Sequence, residues 1–149
     1  MSESRRVTIS NRQRVAPIRA RQVEVTLLGV LRREGCGLNL EVVFVDADEI
    51  RSVNRRFLGR TGLTDVIAFP MADSFDAPGE SILGEVVVCV EKAVAEAKRR
   101  KLPLDREVLL YAVHGTLHLL GYDDHAPADV ERMRAAESQA LRSAGWSGR

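Results

Sequence analysis

All three histidines of this 149-residue chain lie within twelve residues, His114-Gly115-Thr116-Leu117-His118-Leu119-Leu120-Gly121-Tyr122-Asp123-Asp124-His125. In an α-helix, residues four apart stand about 40° apart around the axis and about 6 Å apart along it. His114 and His118 therefore share one face, in a stripe with Glu107 and Tyr111. Leu109, Leu110, Val113, Leu117 and Leu120 fall on the other side, which is apolar and expected to be buried. Such a helix must seat its leucine side on a core while its histidines face a cleft. Gly121 can adopt φ > 0 and turn the chain back toward that cleft.

Two imidazoles at this spacing, followed by a glycine turn and two carboxylates, are the donor set of a divalent-metal site on a helix and the turn after it. Catalytic zinc commonly takes three protein ligands and keeps one position open. The third ligand must come from the turn, and two neighbours compete for it: Asp124, ten residues after His114, and His125, eleven after. In extended chain, adjacent side chains point apart, so one of the two is expected to bind. Imidazole is the better zinc donor. A site of two His and one Asp would carry one more negative charge and tolerate Mg²⁺ or Mn²⁺ better. Taken singly, a helix histidine is a core residue and an Asp-Asp pair is a cap; their combination here is what points to metal. In H-E-x-x-H peptidases the residue after the first histidine is a glutamate that serves as general base. Here it is Gly115, which disfavours that peptidase mechanism and is expected to leave room above the metal for a bulky substrate group.

The rest of the chain reads as an α+β fold, a small mixed four-stranded sheet packed with about five helices. Strands are predicted at 7–10, 38–45, 64–69 (stopped by Pro70) and 82–89, the last, ILGEVVVC, being the clearest. Helices are predicted from Pro17 to about Gly35, after a cap at Asp46 or Asp48, over about 91–101, over 106–120 behind a cap at Asp105, and over 127–143. Residues 71–80 read as a polar loop with a Pro-Gly turn. No repeat or low-complexity linker divides the chain, so residues 1–149 are expected to form a single domain.

Net charge is +1, which by itself predicts no nucleic-acid partner. Its distribution is uneven: eight arginines against three glutamates in residues 1–34, and the cluster Lys98-Arg99-Arg100-Lys101. These are solvated helix faces on the bland reading and phosphate contacts on the functional one. Cys36 and Cys89 stand alone among apolar residues, as reduced core thiols do. With no signal region behind the first residues and no apolar run near the ~18 residues of a membrane span, a cytoplasmic protein with no membrane partner is expected.

Three ordered segments resemble one family. His114-Gly115-Thr116-Leu117-His118-Leu119-Leu120-Gly121-Tyr122-Asp123 is similar to the H-G-x-L-H-L-x-G-Y-D-H signature of the YbeY endoribonucleases and rRNA maturation factors. Leu63-Thr64-Asp65-Val66-Ile67-Ala68-Phe69-Pro70 resembles the family's T-D-V-L-S-F-P strand, and Leu83-Gly84-Glu85-Val86-Val87-Val88-Cys89 its L-G-D-I-V-I-C strand. Asn54, Glu107 and Met133 also sit where the family pattern puts them, so the likeness spans roughly residues 38–141. There are departures. Asp124 stands at the family's third-histidine position, with His125 displaced by one, and the ungapped spacing to Met133 favours Asp124 as the equivalent. Many members carry an arginine beside the aromatic residue before the T-D-V strand. Here Leu58 follows Phe57, and Arg56 and Arg60 flank it. Ala68 replaces the usual serine.

The resemblance implies a single-strand-specific, metal-dependent endoribonuclease of rRNA maturation (the 16S 3′ end) and ribosome quality control, with rRNA and ribosomal proteins as partners. It implies that His114, His118 and Asp124, or His125 in its place, hold one Zn²⁺, that Arg56 or Arg60 steadies transition-state charge, and that Thr64 and Asp65 contact substrate. With aromatic residues at only 5%, recognition is expected to rest on phosphates rather than on base stacking. The rival expectations are a non-catalytic ribosome-associated factor with a structural, four-ligand metal, and another zinc hydrolase such as a peptidase.

Overall fold

The structure, a computed structural model, describes residues 5–71 and 81–149; the predicted Pro-Gly turn lies outside the described residues. In chain order the elements are β1 (Val7–Asn11), α1 (Ala20–Arg33), β2 (Asn39–Val45), α2 (Ala47–Leu58), β3 (Val66–Pro70), β4 (Ile82–Cys89), α3 (Val90–Arg100), α4 (Leu104–Leu119) and α5 (Pro127–Ser143). The four strands form one sheet in the order β1-β2-β4-β3. β1, β2 and β4 run parallel, and β3 runs antiparallel to β4 at the edge. The fold is α+β with a mixed sheet and, among the described residues, five helices.

β4 lies between two neighbours and is covered on both faces, which is why ILGEVVVC shows no polar alternation. Leu83, Val86 and Val88 join the main core, while Val87 and Cys89 face the smaller one beneath α2. β2 divides the same way: Leu40, Val42 and Phe44 enter the main core, and Val43 and Val45 the smaller one. α4 runs through the main core, with Leu109, Leu110, Val113 and Leu117 buried and Leu120 half-buried at its end. Cys89 is a buried free thiol and Cys36 a half-buried one.

Four expectations need correction. α1 begins at Ala20, not at Pro17. The buried Gln13 side chain ties residues 11–16 into a loop: its amide donates to Asn11 Oδ1 (2.7 Å) and Ala16 O (2.9 Å), and its oxygen accepts from the backbone of Val15 and Ala16. α4 begins at Leu104 without a side-chain cap. Asp105 lies within its first turn and pairs with Arg19 at 3.1 Å. β3 starts at Val66 and includes Pro70, which an edge strand accommodates because Pro lacks only an N–H. Gly115 faces the sheet rather than the cleft: a Cβ there would stand 2.7 Å from Val86 Cγ1 and 3.0 Å from Val66 Cγ2. Its place in the sequence lets α4 approach β3 and β4 closely, and it leaves no extra space over a metal.

Candidate metal centre

α4 presents His114 and His118 side by side, with their Nε2 atoms 3.1 Å apart. The turn after α4 brings the third donor. Gly121 takes φ 99°, its N–H donates to His118 O (3.1 Å), and the Tyr122 N–H donates to Leu117 O (3.0 Å). The Tyr122 hydroxyl donates to Glu34 Oε2 at 2.8 Å, and the Arg132 guanidinium lies over its ring, tying the turn to α1 and α5. Asp124 then sets Oδ2 3.7 Å from His114 Nε2 and 3.6 Å from His118 Nε2.

Ligand atoms about 2.0–2.2 Å from a tetrahedral zinc stand roughly 3.3–3.6 Å from one another. The triangle formed by His114, His118 and Asp124, with edges of 3.1, 3.6 and 3.7 Å, is close to that spacing and leaves its open side to solvent. The three side chains retain 29%, 33% and 38% exposure, enough for a substrate group to reach them. His125 lies outside this group: its side chain is 87% exposed and its Nε2 is 3.5 Å from Asp123 Oδ1. Asp123, Asp124 and His125 form a second, wholly exposed cluster.

Glu137 is the residue that the sequence reading missed. It comes from α5, is 2% exposed, and accepts a hydrogen bond from His114 Nδ1 at 2.6 Å. A carboxylate can only accept, so Nδ1 carries the proton and Nε2 is left bare toward Asp124 and His118. This is the carboxylate–histidine arrangement that orients metal-bound imidazoles. Burial of the ring favours neutral His114, yet the hydrogen bond and charge of Glu137, with Asp65 and Asp124, outweigh it and raise the His114 pKa. Glu107 and Tyr111, expected beside the histidines, do line a cavity with His114. Both are buried, however, and Glu107 accepts a hydrogen bond from Arg106 Nη1, at 3.0 Å, rather than from a histidine.

The remaining candidates separate. Thr64 and Arg60 line a cavity of about 450 Å³ that His118 also borders. Asp65, one residue on, lines the cavity of about 300 Å³ on the His114 side, and its carboxylate accepts from the Val66 N–H at 2.8 Å. Arg56 points elsewhere. It stacks near Phe57 (5.9 Å) and lines a cavity of about 410 Å³ with Arg12, Glu49 and Glu85 on the α2 side of the sheet. Only Arg60 of the two arginines shares a cavity with a histidine of the site.

The sequence model described as Endoribonuclease YbeY matches residues 8–145. The chain belongs to the endoribonuclease YbeY family. Relatives in this family include the endoribonuclease YbeY of Halorhodospira halophila, 39% identical over 128 residues, which cover 85% of this chain and 83% of the relative. The endoribonuclease YbeY of Alkaliphilus metalliredigens is 35% identical over 147 residues, covering 93% and 95%. The solution structure of TM1509 from Thermotoga maritima has a similar fold, with a TM-score of 0.64 at 22% identity over 92% of this chain and 90% of that one. At the position where the family signature suggests a third histidine this chain has Asp124, and Asp124, not His125, is the side chain that comes within reach of both α4 imidazoles. No helix among the described residues is long and apolar enough to cross a membrane.

Proposed function

We propose that this protein is a metal-dependent endoribonuclease that cleaves single-stranded RNA, with ribosomal RNA as its substrate in the cytoplasm and ribosomal proteins as its partners. The observation that carries the reading is the triangle of His114, His118 and Asp124, open on one side and buttressed by Glu137. These residues would hold one divalent cation, and two imidazoles with one carboxylate suit Zn²⁺, with Mn²⁺ or Mg²⁺ as harder substitutes. A cation held there supplies Lewis-acid polarisation of a phosphoryl oxygen and makes water acidic enough to yield a nucleophile near neutral pH.

The chain's own groups account for the other requirements. Glu137 keeps the proton of the neutral His114 ring on Nδ1, so that Nε2 is the nitrogen left to bind a cation. Arg60, which lines the same cavity as His118, binds a non-bridging phosphate oxygen and steadies the charge that grows there. The Thr64 hydroxyl in the same cavity donates to the phosphate chain. Among the described residues three donors converge and His125 lies outside them, which supports the three-ligand count of a catalytic rather than a structural zinc. No carboxylate follows His114 on its helix to serve as a peptidase base, since position 115 is a glycine packed on the sheet.

The experiment compares metal-stripped and metal-reloaded protein on single-stranded RNA, duplex RNA and an unstructured polypeptide. Cleavage confined to single-stranded RNA, dependent on metal and abolished by His114→Ala in a protein that still melts cooperatively, is the expected result. Full-rate RNA cleavage by His114→Ala, or cleavage of the polypeptide instead, overturns the reading.

A further inference from the structure

A cavity of about 220 Å³ meets the metal centre where His114 and Asp124 face α5, and Met133, Arg134 and Glu137 line it from that helix. The cavity that Arg60 lines borders His118 instead, and the two share no lining residue. The ligand triangle thus opens into one cavity at its His118 corner and another at its His114–Asp124 edge, and each holds an arginine.

Helical spacing decides which α5 side chains enter the second cavity. Val130, Met133, Arg134 and Glu137 stand at i, i+3, i+4 and i+7, on one face of α5. Glu137 fixes that face against α4, where it meets His114 Nδ1 at 2.6 Å. Arg134 is a turn nearer the start of the helix, and helical side chains lean toward the N-terminus. Its guanidinium is therefore directed to the Asp124 end of the cavity. The cavity's two arginines differ in what they already meet. Arg149 Nε lies 3.4 Å from Glu137 Oε1 and offsets that buried carboxylate. Arg134 is exposed and makes no ion pair among the described residues. A divalent cation on the triangle would more than cancel the charge of Asp124, so the Asp124 end attracts an anion once the site is loaded. A guanidinium fork matches the paired oxygens of a phosphodiester.

We propose that Arg134 binds the phosphate next to the scissile one, on the His114–Asp124 side of the metal centre. The inference rests on the ribonuclease reading above. Single-stranded RNA carries one phosphate per nucleotide, so a strand with its scissile phosphate over the triangle sets a neighbouring phosphate to each side. The strand then crosses the triangle between two arginines, with Arg60 at the scissile phosphate and Arg134 at its neighbour. Arg134 positions the substrate and takes no part in breaking the bond.

The test uses the full-length, Zn²⁺-loaded protein and a short single-stranded RNA with one mapped cut. The phosphate one nucleotide to the 5′ side of the cut, and then the one to the 3′ side, is replaced by an uncharged methylphosphonate. At one of these positions kcat/KM is expected to fall roughly tenfold, the low end for a hydrogen bond to a charged group because Arg134 is exposed. Arg134→Gln should lose about as much on unmodified RNA and nothing further on the methylphosphonate, the non-additivity of a direct contact. Arg134→Ala should behave in the same way and decides if the Gln variant does not fold. Arg142→Gln, on the same helix but outside the cavity, should match the wild type on every RNA. Binding is read separately by fluorescence anisotropy of the metal-free protein, in which nothing is cut. There the slope of log Kd against log salt should be shallower by about 0.7 in Arg134→Gln, the loss of one single-strand phosphate contact. A wild type indifferent to both methylphosphonates, an undiminished methylphosphonate effect in Arg134→Gln, an unchanged salt slope, or an equal loss in Arg142→Gln overturns the site and leaves the nuclease reading standing. Failure of the wild type to cut unmodified RNA overturns the nuclease reading, and the site falls with it.

Discussion

Glu137→Gln isolates what a residue outside the ligand triangle contributes to it. The substitution preserves shape and removes the charge that meets His114 Nδ1 at 2.6 Å. Glu137 is 2% exposed, so solvent does little to screen the contact. A hydrogen bond to a buried carboxylate contributes about 1.5–3 kcal/mol more than its absence, and loss of the carboxylate behind a metal-bound imidazole typically weakens metal affinity roughly 10- to 100-fold. Gln still offers an oxygen to Nδ1, so the imidazole keeps its orientation but loses basicity and the stabilising charge behind it. The expected result is a Zn²⁺ dissociation constant raised roughly tenfold or more, measured by competition with a chromophoric chelator. The melting temperature of the metal-free protein reports separately whether α5 still packs on α4. RNA cleavage at limiting zinc should fall in parallel and recover when zinc is raised. Wild-type affinity within twofold in a folded Glu137→Gln variant would refute the claim that Glu137 supports the ligand, and would reduce the contact to helix packing.

Three further outcomes rest on single residues, two on distances and one on charge. Asp124→Ala should lose most of its bound metal while His125→Ala keeps it, by elemental analysis of the purified variants, because Asp124, and not His125, lies within 4 Å of both imidazoles; the reverse order would make His125 the ligand. Gly115→Ala drives a methyl to 2.7 Å from Val86 and should cost about 1–3 kcal/mol, read as a fall in melting temperature of several degrees; an unchanged melt would mean that α4 has slack against the sheet. Burial, then the neighbouring Glu41 charge, raise the Glu85 pKa, with Arg12 opposing. A carboxyl whose folded pKa exceeds its unfolded one stabilises the fold below the unfolded value and loses that contribution as pH rises through the folded value. Glu85→Gln should therefore melt higher than wild type at neutral pH, with the gap closing as pH falls through the carboxylate range; a gap that widens on acidification would contradict the assigned cause.

The parts of this protein legible in its sequence are those in which one segment carries its own signal. β4 announces itself because both its faces are covered, so nearly every residue is apolar. α5 is framed by Pro127 at its start, and the His114–His118 pair needs nothing beyond helical spacing to converge. The misreadings occur where a distant partner decides. Pro17 offers a helix start, but the Gln13 side chain holds the preceding loop and delays α1 to Ala20. Asp105 has the chemistry of a cap, yet it pairs with Arg19 across the fold. Glu137 is the instructive case, because a local sign of it exists. It lies four residues after Met133 and four before Leu141, both buried, so a carboxylate interrupts the apolar face of α5. A buried charge without a partner is too costly to persist, so that interruption implied a partner on whatever helix α5 covers. The chain's three histidines all lie in one segment, and two of them face the same side of α4. The periodicity of α5 thus marks Glu137 as a carboxylate that needs a partner, and which basic groups meet it, His114 Nδ1 at 2.6 Å and Arg149 Nε at 3.4 Å, required three dimensions.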